Sequence, residues 1–294
     1  MKIGIIGCGN MGEAIIKGQR AKGKGQSLIA SDKSKKRRDY IRKRYHISVI
    51  KSNIKLVKNS DVVILAIKPQ DMEEVLSEIA YCLLPTAYCP LFISIAAGIS
   101  TSFIESFFKS KVSPLRSNSS IEPRGKQAGI KPQMKTSNRV RVIRVMPNMP
   151  ALIGEAVSAV CKGRYASGKD LNIAKKIFRS LGEVIEIEEK YLNLITALSG
   201  SGPAYFFYIV EQLIKAGVSS GLEKKISERL AIQTGLGSLR MLAQGRDAEE
   251  LRKKVTSKGG TTEAAFRVFQ KREMAQIFAE AIRAAVRRAE ELEQ

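Results

Sequence analysis

The hexapeptide Gly7-Cys8-Gly9-Asn10-Met11-Gly12 constrains this chain more than any other feature. It directly follows the apolar run Lys2–Ile6 and opens a segment of helical periodicity, Glu13–Ala21. In the order strand, glycine turn, helix, Gly7 permits the tight turn, Gly9 lets the backbone approach a pyrophosphate, and Gly12 allows close packing of the helix. The free N–H groups at the helix start add an attraction for phosphate. An acidic residue, Asp32, closes the next apolar run, Ser27–Ser31, where it can hold the hydroxyls of an adenosine ribose. The glycine spacing alone is a weak signal, but in this context it specifies a dinucleotide-binding unit.

The rest of the first two thirds agrees. Short β-branched runs alternate with helical segments: Lys33–Tyr45, Val62–Ile67, Met72–Cys82, Leu91–Ala96, Val140–Val145, Ala156–Val160 and Val184–Ile187. The spacing predicts an α/β fold, a Rossmann-type doubly wound parallel sheet, and runs such as VVILAI are apolar on both faces, as strands covered by helices on both sides must be. After Tyr191 strand signals stop and long helices take over: Ala204–Ala216, Lys225–Ala243, Ala248–Lys253 and Thr262–Gln294. The expected organisation is therefore a dinucleotide-binding domain over 1–190 and an all-helical domain over 191–294. The apolar surface of those helices exceeds what so small a domain covers alone, which points to an oligomer.

Charge adds a second constraint. Fifty Lys and Arg against 28 Asp and Glu give a net charge of +22. Fifteen of the basic residues fall between Lys17 and Lys58, with two Asp, and eight more against one Glu fall in residues 109–139. The latter stretch, rich in Ser and Pro, breaks the apolar periodicity and reads as a mobile insertion at the N-terminal edge of the sheet, away from the chemistry. The excess raises nucleic acid as a partner, but there is no Trp and no basic platform interleaved with aromatic residues, so a nucleic-acid-binding protein is the weaker alternative. The charge-free stretch Ile79–Ile104 is interrupted by Pro85 and Pro90, which argues against a membrane span. Four scattered cysteines without a paired motif predict neither zinc nor disulfides, and the opening MKIGIIGCG lacks a secretory pattern; a cytoplasmic location is the expectation.

The candidate chemistry falls into two groups. Around the expected dinucleotide, Lys68 and Pro69 of AIKPQD follow a strand end, and Ala96 in SIAAG supplies the small side chain needed where a nicotinamide ring approaches the backbone. Lys33, Lys35, Lys36 and Arg37, with Ser31 and Ser34, can surround a 2′-phosphate, whereas Asp32 favours a free ribose, so NADPH and NADH both stay open. The second group is VTSKGGTTEAA, residues 255–265. The N–H groups of Gly259, Gly260 and Thr261 are expected to be bare and to face a carboxylate, with the dipole of the following helix behind them and the Thr262 hydroxyl alongside. A similar segment, LSGSGPAYF, opens the first long helix, with Pro203 suited to its first turn. His46, the only histidine, reads as an ordinary edge residue, which removes most serine–histidine, cysteine–histidine and histidine-based dehydrogenase mechanisms, and no metal site is indicated.

In order along the chain, GIIGCGNMGEAI, AIKPQD, SIAAGIS, RVIRVMPNMP, ALSGSGPAYF and VTSKGGTTEAAF resemble the pyrroline-5-carboxylate reductase family, over nearly the whole chain except residues 109–139. The resemblance implies NAD(P)H-dependent reduction of 1-pyrroline-5-carboxylate to L-proline, the last step of proline biosynthesis. It also implies a helical C-terminal domain interlocked in a homodimer, with dimers often assembled into decamers. Carried over by position, Gly7, Gly9, Asn10, Met11 and Gly12 hold the cofactor phosphates, Ala66 and Lys68 lie by the cofactor, Ser257, Gly259, Gly260 and Thr261 bind the substrate carboxylate, and Thr262 hydrogen-bonds the ring nitrogen. Departures from the family pattern are Lys258 in place of a usual Pro, Met149 in place of a usual Thr, and the segment 109–139, which has no counterpart. A β-hydroxyacid dehydrogenase shares the overall plan, but its helix carries a lysine that SGSGPAYFFYIVEQ lacks before Lys215.

Overall fold

The computed structural model describes residues 1–21, 23, 27–80, 89–117 and 139–293. Eight strands form one sheet: β1 Lys2–Ile6, β2 Ser27–Ser31, β3 Ser48–Ile50, β4 Val62–Leu65, β5 Leu91–Ser94, β6 Val142–Pro147, β7 Ala156–Lys162 and β8 Gly182–Glu186, in the order β3-β2-β1-β4-β5-β6-β7-β8. The order reverses between β1 and β4, which pair in parallel with Ile3 beside Val62 and Ile5 beside Ile64. Because side chains alternate along a strand, Ile3, Ile5 and Ile64 join a core on one face with Ile15 and Ile16, while Val63, Leu65 and Phe92 join a core on the other with Leu76 and Phe108. Two cores explain why these strands are continuous apolar runs.

The helices between the strands are α1 Asn10–Ala21, α2 Lys35–Tyr45, α3 Asn53–Lys58, α4 Met72–Ala80, α5 Thr101–Ser117 and α6 Gly168–Phe178. Several starts are written locally: Ser34 and Ser52 accept the N–H groups of Arg37 and Lys55, and Ser167 forms a capping box with Asp170. The expected parallel sheet needs one correction, because β7 runs antiparallel to β6. Only a turn of 3₁₀ helix, Met149–Ile153, separates the two, too short for a parallel crossover. The start of the basic insertion is also corrected: α5 carries helical backbone on through Ser117, since a helix anchored on the buried Ile104 and Phe108 propagates cooperatively. Residues 118–138, the bulk of that insertion, lie outside the described residues.

The C-terminal part contains α7 Leu192–Ile195, a π-helical turn Thr196–Gly200, α8 Gly202–Ser219, α9 Lys224–Leu242, α10 Ala248–Lys254, α11 Thr261–Lys271 and α12 Met274–Glu291. The single helix expected over Thr262–Gln294 is two, broken where Glu273 adopts a left-handed φ of 52°. The chain divides into one compact unit of Met1–Gly200 together with the residues from Arg288 onward, and a second of Ser201–Arg287. Between Ser201 and Arg287 only Gly202, Ser227 and Ala231 are buried, while Phe206, Phe207, Tyr208, Leu230 and Ile277 are 53–62% exposed. Among the described residues no helix is long and apolar enough to cross a membrane.

The last residues join the first unit through an ion-pair cluster. Buried Arg144 on β6 reaches Glu189 at 3.2 Å and Glu293 at 2.9 Å, and Asn193 donates to Glu293 at 2.7 Å. Partial burial pushes the Glu293 carboxyl up, but the hydrogen bonds from Asn193 and Arg144 outweigh it and hold the group below the ordinary carboxylate range. A depressed carboxyl contributes stability that is present above its unfolded-state value and lost as the pH falls through the folded-state value. Glu293→Gln is therefore expected to lower the melting temperature at pH 7, by a margin that closes as melts are repeated below about pH 4.

Candidate active site

At the switch point the backbone leaves β1 and turns sharply. Gly7 has φ 95°, and a Cβ there would lie 2.3 Å from the Ala66 carbonyl oxygen. A Cβ on Gly12 would lie 2.1 Å from the Gly7 carbonyl oxygen, so α1 sits against the turn at a distance that no side chain allows. At Gly9, by contrast, a Cβ would meet nothing within 4 Å. The turn remains in register with both neighbouring strands: the Gly7 N–H donates to Ser31 at 2.8 Å and the Ala66 N–H to Ile6 at 2.8 Å. The N–H groups of Asn10, Met11 and Gly12 open α1 and have no intrahelical acceptor. This is a phosphate cradle made of backbone, and it fits a dinucleotide pyrophosphate.

A cleft of about 440 Å³ opens at this end of the sheet, lined by Gly7, Gly9, Ser31, Asp32, Lys33, Ala66 and Lys68 among others. The structure thus brings together seven of the residues assigned to the cofactor. Pro69 begins the turn of 3₁₀ helix that follows Lys68, and Ala96 is buried just past the end of β5. Lining residues that were not anticipated include Lys51 on the β3–α3 connection, Asn53 at the start of α3, and Glu74 and Glu78 on α4. Ser31 donates from Oγ to Asn53 Oδ1 at 2.6 Å, and Asn53 Nδ2 donates to Glu78 Oε2 at 2.6 Å. Local sequence carries no signal for this chain of contacts, since its members come from three separate elements.

The Asp32 carboxylate is fixed by the N–H groups of Cys8 and Ser34, each at 2.8 Å. Arg37 is directed under the turn, where it donates to the Cys8 carbonyl and pairs with Glu13. Burial raises the Glu13 carboxyl, but hydrogen bonds from Tyr45, Arg37 and Tyr40 more than offset this and hold it below its ordinary value. Arg37 is thus neither a solvated surface charge nor a member of the cleft wall. Burial and then Asp32 push the Cys8 thiol up to about 12, so it is a neutral packing group and not a nucleophile. His46 caps α2 with a left-handed φ of 51°, a structural role.

The loop expected to receive a carboxylate requires a correction. The Gly259 N–H donates to Glu263 Oε2 at 2.8 Å and the Gly260 N–H donates to the Ser257 carbonyl at 3.0 Å, so two of the three groups expected to be bare are engaged. The physical reason is local: Glu263 is the third residue of α11, the position from which a Glu side chain reaches back over a helix start. The Thr261 N–H, at the first helical position, has no intrahelical acceptor. The hydroxyls of Ser257, Thr261 and Thr262 stand at the same turn, with Thr262 half-buried. Among the described residues there is no cluster of side chains that could hold a metal ion.

A Rossmann-type sheet with its cradle and cleft at the topological switch point, followed by a helical unit, defines an oxidoreductase that uses a nicotinamide dinucleotide. Residues 2–98 match the family described as NADP oxidoreductase, coenzyme F420-dependent, and residues 189–292 match pyrroline-5-carboxylate reductase dimerisation. The pyrroline-5-carboxylate reductase of Corynebacterium melassecola is 34% identical over 292 residues, covering 99% of this chain and 98% of that one. Among solved structures, a pyrroline-5-carboxylate reductase from Coxiella burnetii superposes with a TM-score of 0.82 at 32% identity, covering 99% of this chain and 98% of the other. A Plasmodium falciparum pyrroline carboxylate reductase with NADP bound gives 0.79 at 27%, covering 100% and 98%. The chain belongs to the pyrroline-5-carboxylate reductase family.

Gly7→Ala places a Cβ against the Ala66 carbonyl at a positive φ. It is expected to cost at least about 1 kcal/mol of stability and to weaken dinucleotide binding more than tenfold. Thermal melts and an NADH titration of the variant check this.

Proposed function

We propose that this chain reduces 1-pyrroline-5-carboxylate to L-proline with a hydride from NADPH or NADH, completing proline biosynthesis. The observation that carries the reading is the hydroxyl-rich turn Ser257–Thr262 at the start of α11, within the segment that matches the family's dimerisation model, in a chain that also carries the dinucleotide cradle. NAD(P)H supplies the hydride. Gly7, Gly9, Asn10, Met11 and Gly12 hold its phosphates through backbone N–H groups and the helix dipole; Ser31, Asp32 and Lys33 surround its adenosine end; Ala66, Lys68, Pro69 and Ala96 border the path towards the nicotinamide.

The residues of α11's first turn then position the substrate. The Thr261 N–H and the hydroxyls of Ser257 and Thr261 receive the carboxylate. The N–H groups of Gly259 and Gly260 add to them once Glu263 and the Ser257 carbonyl give them up to the stronger charge of the ligand. Thr262 hydrogen-bonds the ring nitrogen as it becomes an amine. A cyclic imine accepts hydride readily when its nitrogen is protonated, and water can provide that proton, so a chain whose only histidine caps a helix lacks nothing the reaction needs. Catalysis is mostly positioning.

The assembly follows from the exposed apolar faces of α8, α9 and α12. A helical unit that buries three residues has no core of its own, and a second copy supplies the missing layer as a homodimer, with dimers assembling further into a decamer. We place the enzyme in the cytoplasm, where free thiols such as Cys8 and Cys161 persist.

Oxidation of NADPH or NADH should require pyrroline-5-carboxylate; oxidation with a 3-oxo acid instead would overturn the reading in favour of a β-hydroxyacid dehydrogenase. Thr262→Ala is expected to lower kcat/KM by about 1–2 kcal/mol, a single hydrogen bond's worth, and unchanged kinetics would remove Thr262 from the site. Sedimentation should show no folded monomer, and the melting temperature should rise with protein concentration.

A further inference from the structure

We propose that the cleft selects NADH over NADPH, with Asp32 and Glu78 as the residues that exclude a 2′-phosphate; the inference rests on the cleft being the dinucleotide site. In the sequence the basic run after Asp32 favours a 2′-phosphate while Asp32 itself favours a free ribose, so both cofactors stay open. The fold separates those basic residues. Arg37 is committed to Glu13 and the Cys8 carbonyl, and Arg38 donates to the carbonyls of Asp32 at 2.8 Å and Lys33 at 3.0 Å. Neither guanidinium lines the cleft, and neither do Lys35 and Lys36, so the basic run after Lys33 contributes no side chain to the cleft wall where a 2′-phosphate would need a guanidinium or ammonium partner.

The lining that remains is acidic on balance. Lys33, Lys51 and Lys68 face Asp32, Asp71, Glu74 and Glu78, and Lys33 is already paired with Asp71 at 3.0 Å. The neutral donors help little, because the Ser31 hydroxyl donates to Asn53 Oδ1 and one N–H of the Asn53 amide is spent on the Glu78 carboxylate. Asp32, held by two N–H groups, retains lone pairs for ribose hydroxyls, since a carboxylate offers about four acceptor sites. A phosphate carrying close to two negative charges would replace a hydroxyl donor in front of acceptors and meet like charge at close range, with Lys51 and Lys68 as the only lining cations outside an ion pair among the described residues.

The test is equilibrium titration of the purified full-length protein with NADH and with NADPH in the absence of substrate, followed by nicotinamide fluorescence. NADH is expected to bind about tenfold or more tightly at low salt, and the gap is expected to narrow with added salt because the penalty is electrostatic. Glu78→Gln, which keeps an acceptor for Asn53, and Glu74→Gln on the exposed side of α4 should each raise NADPH affinity several-fold while NADH affinity holds. Asp32→Ser should raise NADPH affinity and lower that for NADH. Equal or tighter NADPH binding by the wild type overturns the preference and leaves the cleft assignment intact. Preference for NADH with no response in any of the three folded variants overturns the roles of these carboxylates. Saturable binding of neither dinucleotide to the folded protein overturns the cleft assignment, and the preference with it.

Discussion

The contact on which the structure depends is the backbone approach at the switch point. The carbonyl of Ala66 and that of Gly7 each lie where a side chain would otherwise be, so β1, β4 and the start of α1 come together only because Gly7 and Gly12 have none. That approach sets the direction of α1, turns its unpaired N–H groups towards the end of the sheet, and opens the cleft between the β1 and β4 ends. The parallel sheet supplies the rigidity: with apolar cores on both faces, neither strand can shift its register by one residue without exchanging the two sets of buried side chains.

Charge is organised at shorter range than the net value of +22 suggests. Arg37, Arg38 and Lys33 sit within six residues of one another, yet they make three different kinds of contact: with Glu13 beneath the turn, with backbone carbonyls, and with Asp71 across the cleft mouth. What a ligand meets is the residual charge after these pairings, and in the cleft the carboxylates of Asp32, Asp71, Glu74 and Glu78 outnumber the lysines Lys33, Lys51 and Lys68. The helical unit shows a comparable separation of local and global properties. Its helices are well formed, but almost all of their apolar surface is left outward, which makes association part of folding.

Much of this was legible in advance. Strands β1 and β2 coincide with the apolar runs Lys2–Ile6 and Ser27–Ser31, because a strand buried on both faces is bounded wherever polar residues begin. The cradle was legible because Gly7 and Gly12 each have a distinct steric duty at a fixed offset. The antiparallel β7, the break at Glu273 and the donors consumed at Gly259 and Gly260 were not. The first depends on the length of a connection, the second on a non-glycine residue in a left-handed conformation, and the third on one glutamate reaching back over a helix start.

By itself, then, the sequence determined the kind of fold, the position of the phosphate cradle and the family, since these rest on periodicity and on small residues at set spacings. Only the tertiary structure decided which charges line the cleft at the switch point. Asn53, Lys51 and Glu78 reach it from elements remote in sequence, and the arginines nearest Asp32 in sequence are turned to other partners. Electrostatic selection depends on distances through space, and those are set by packing rather than by order along the chain.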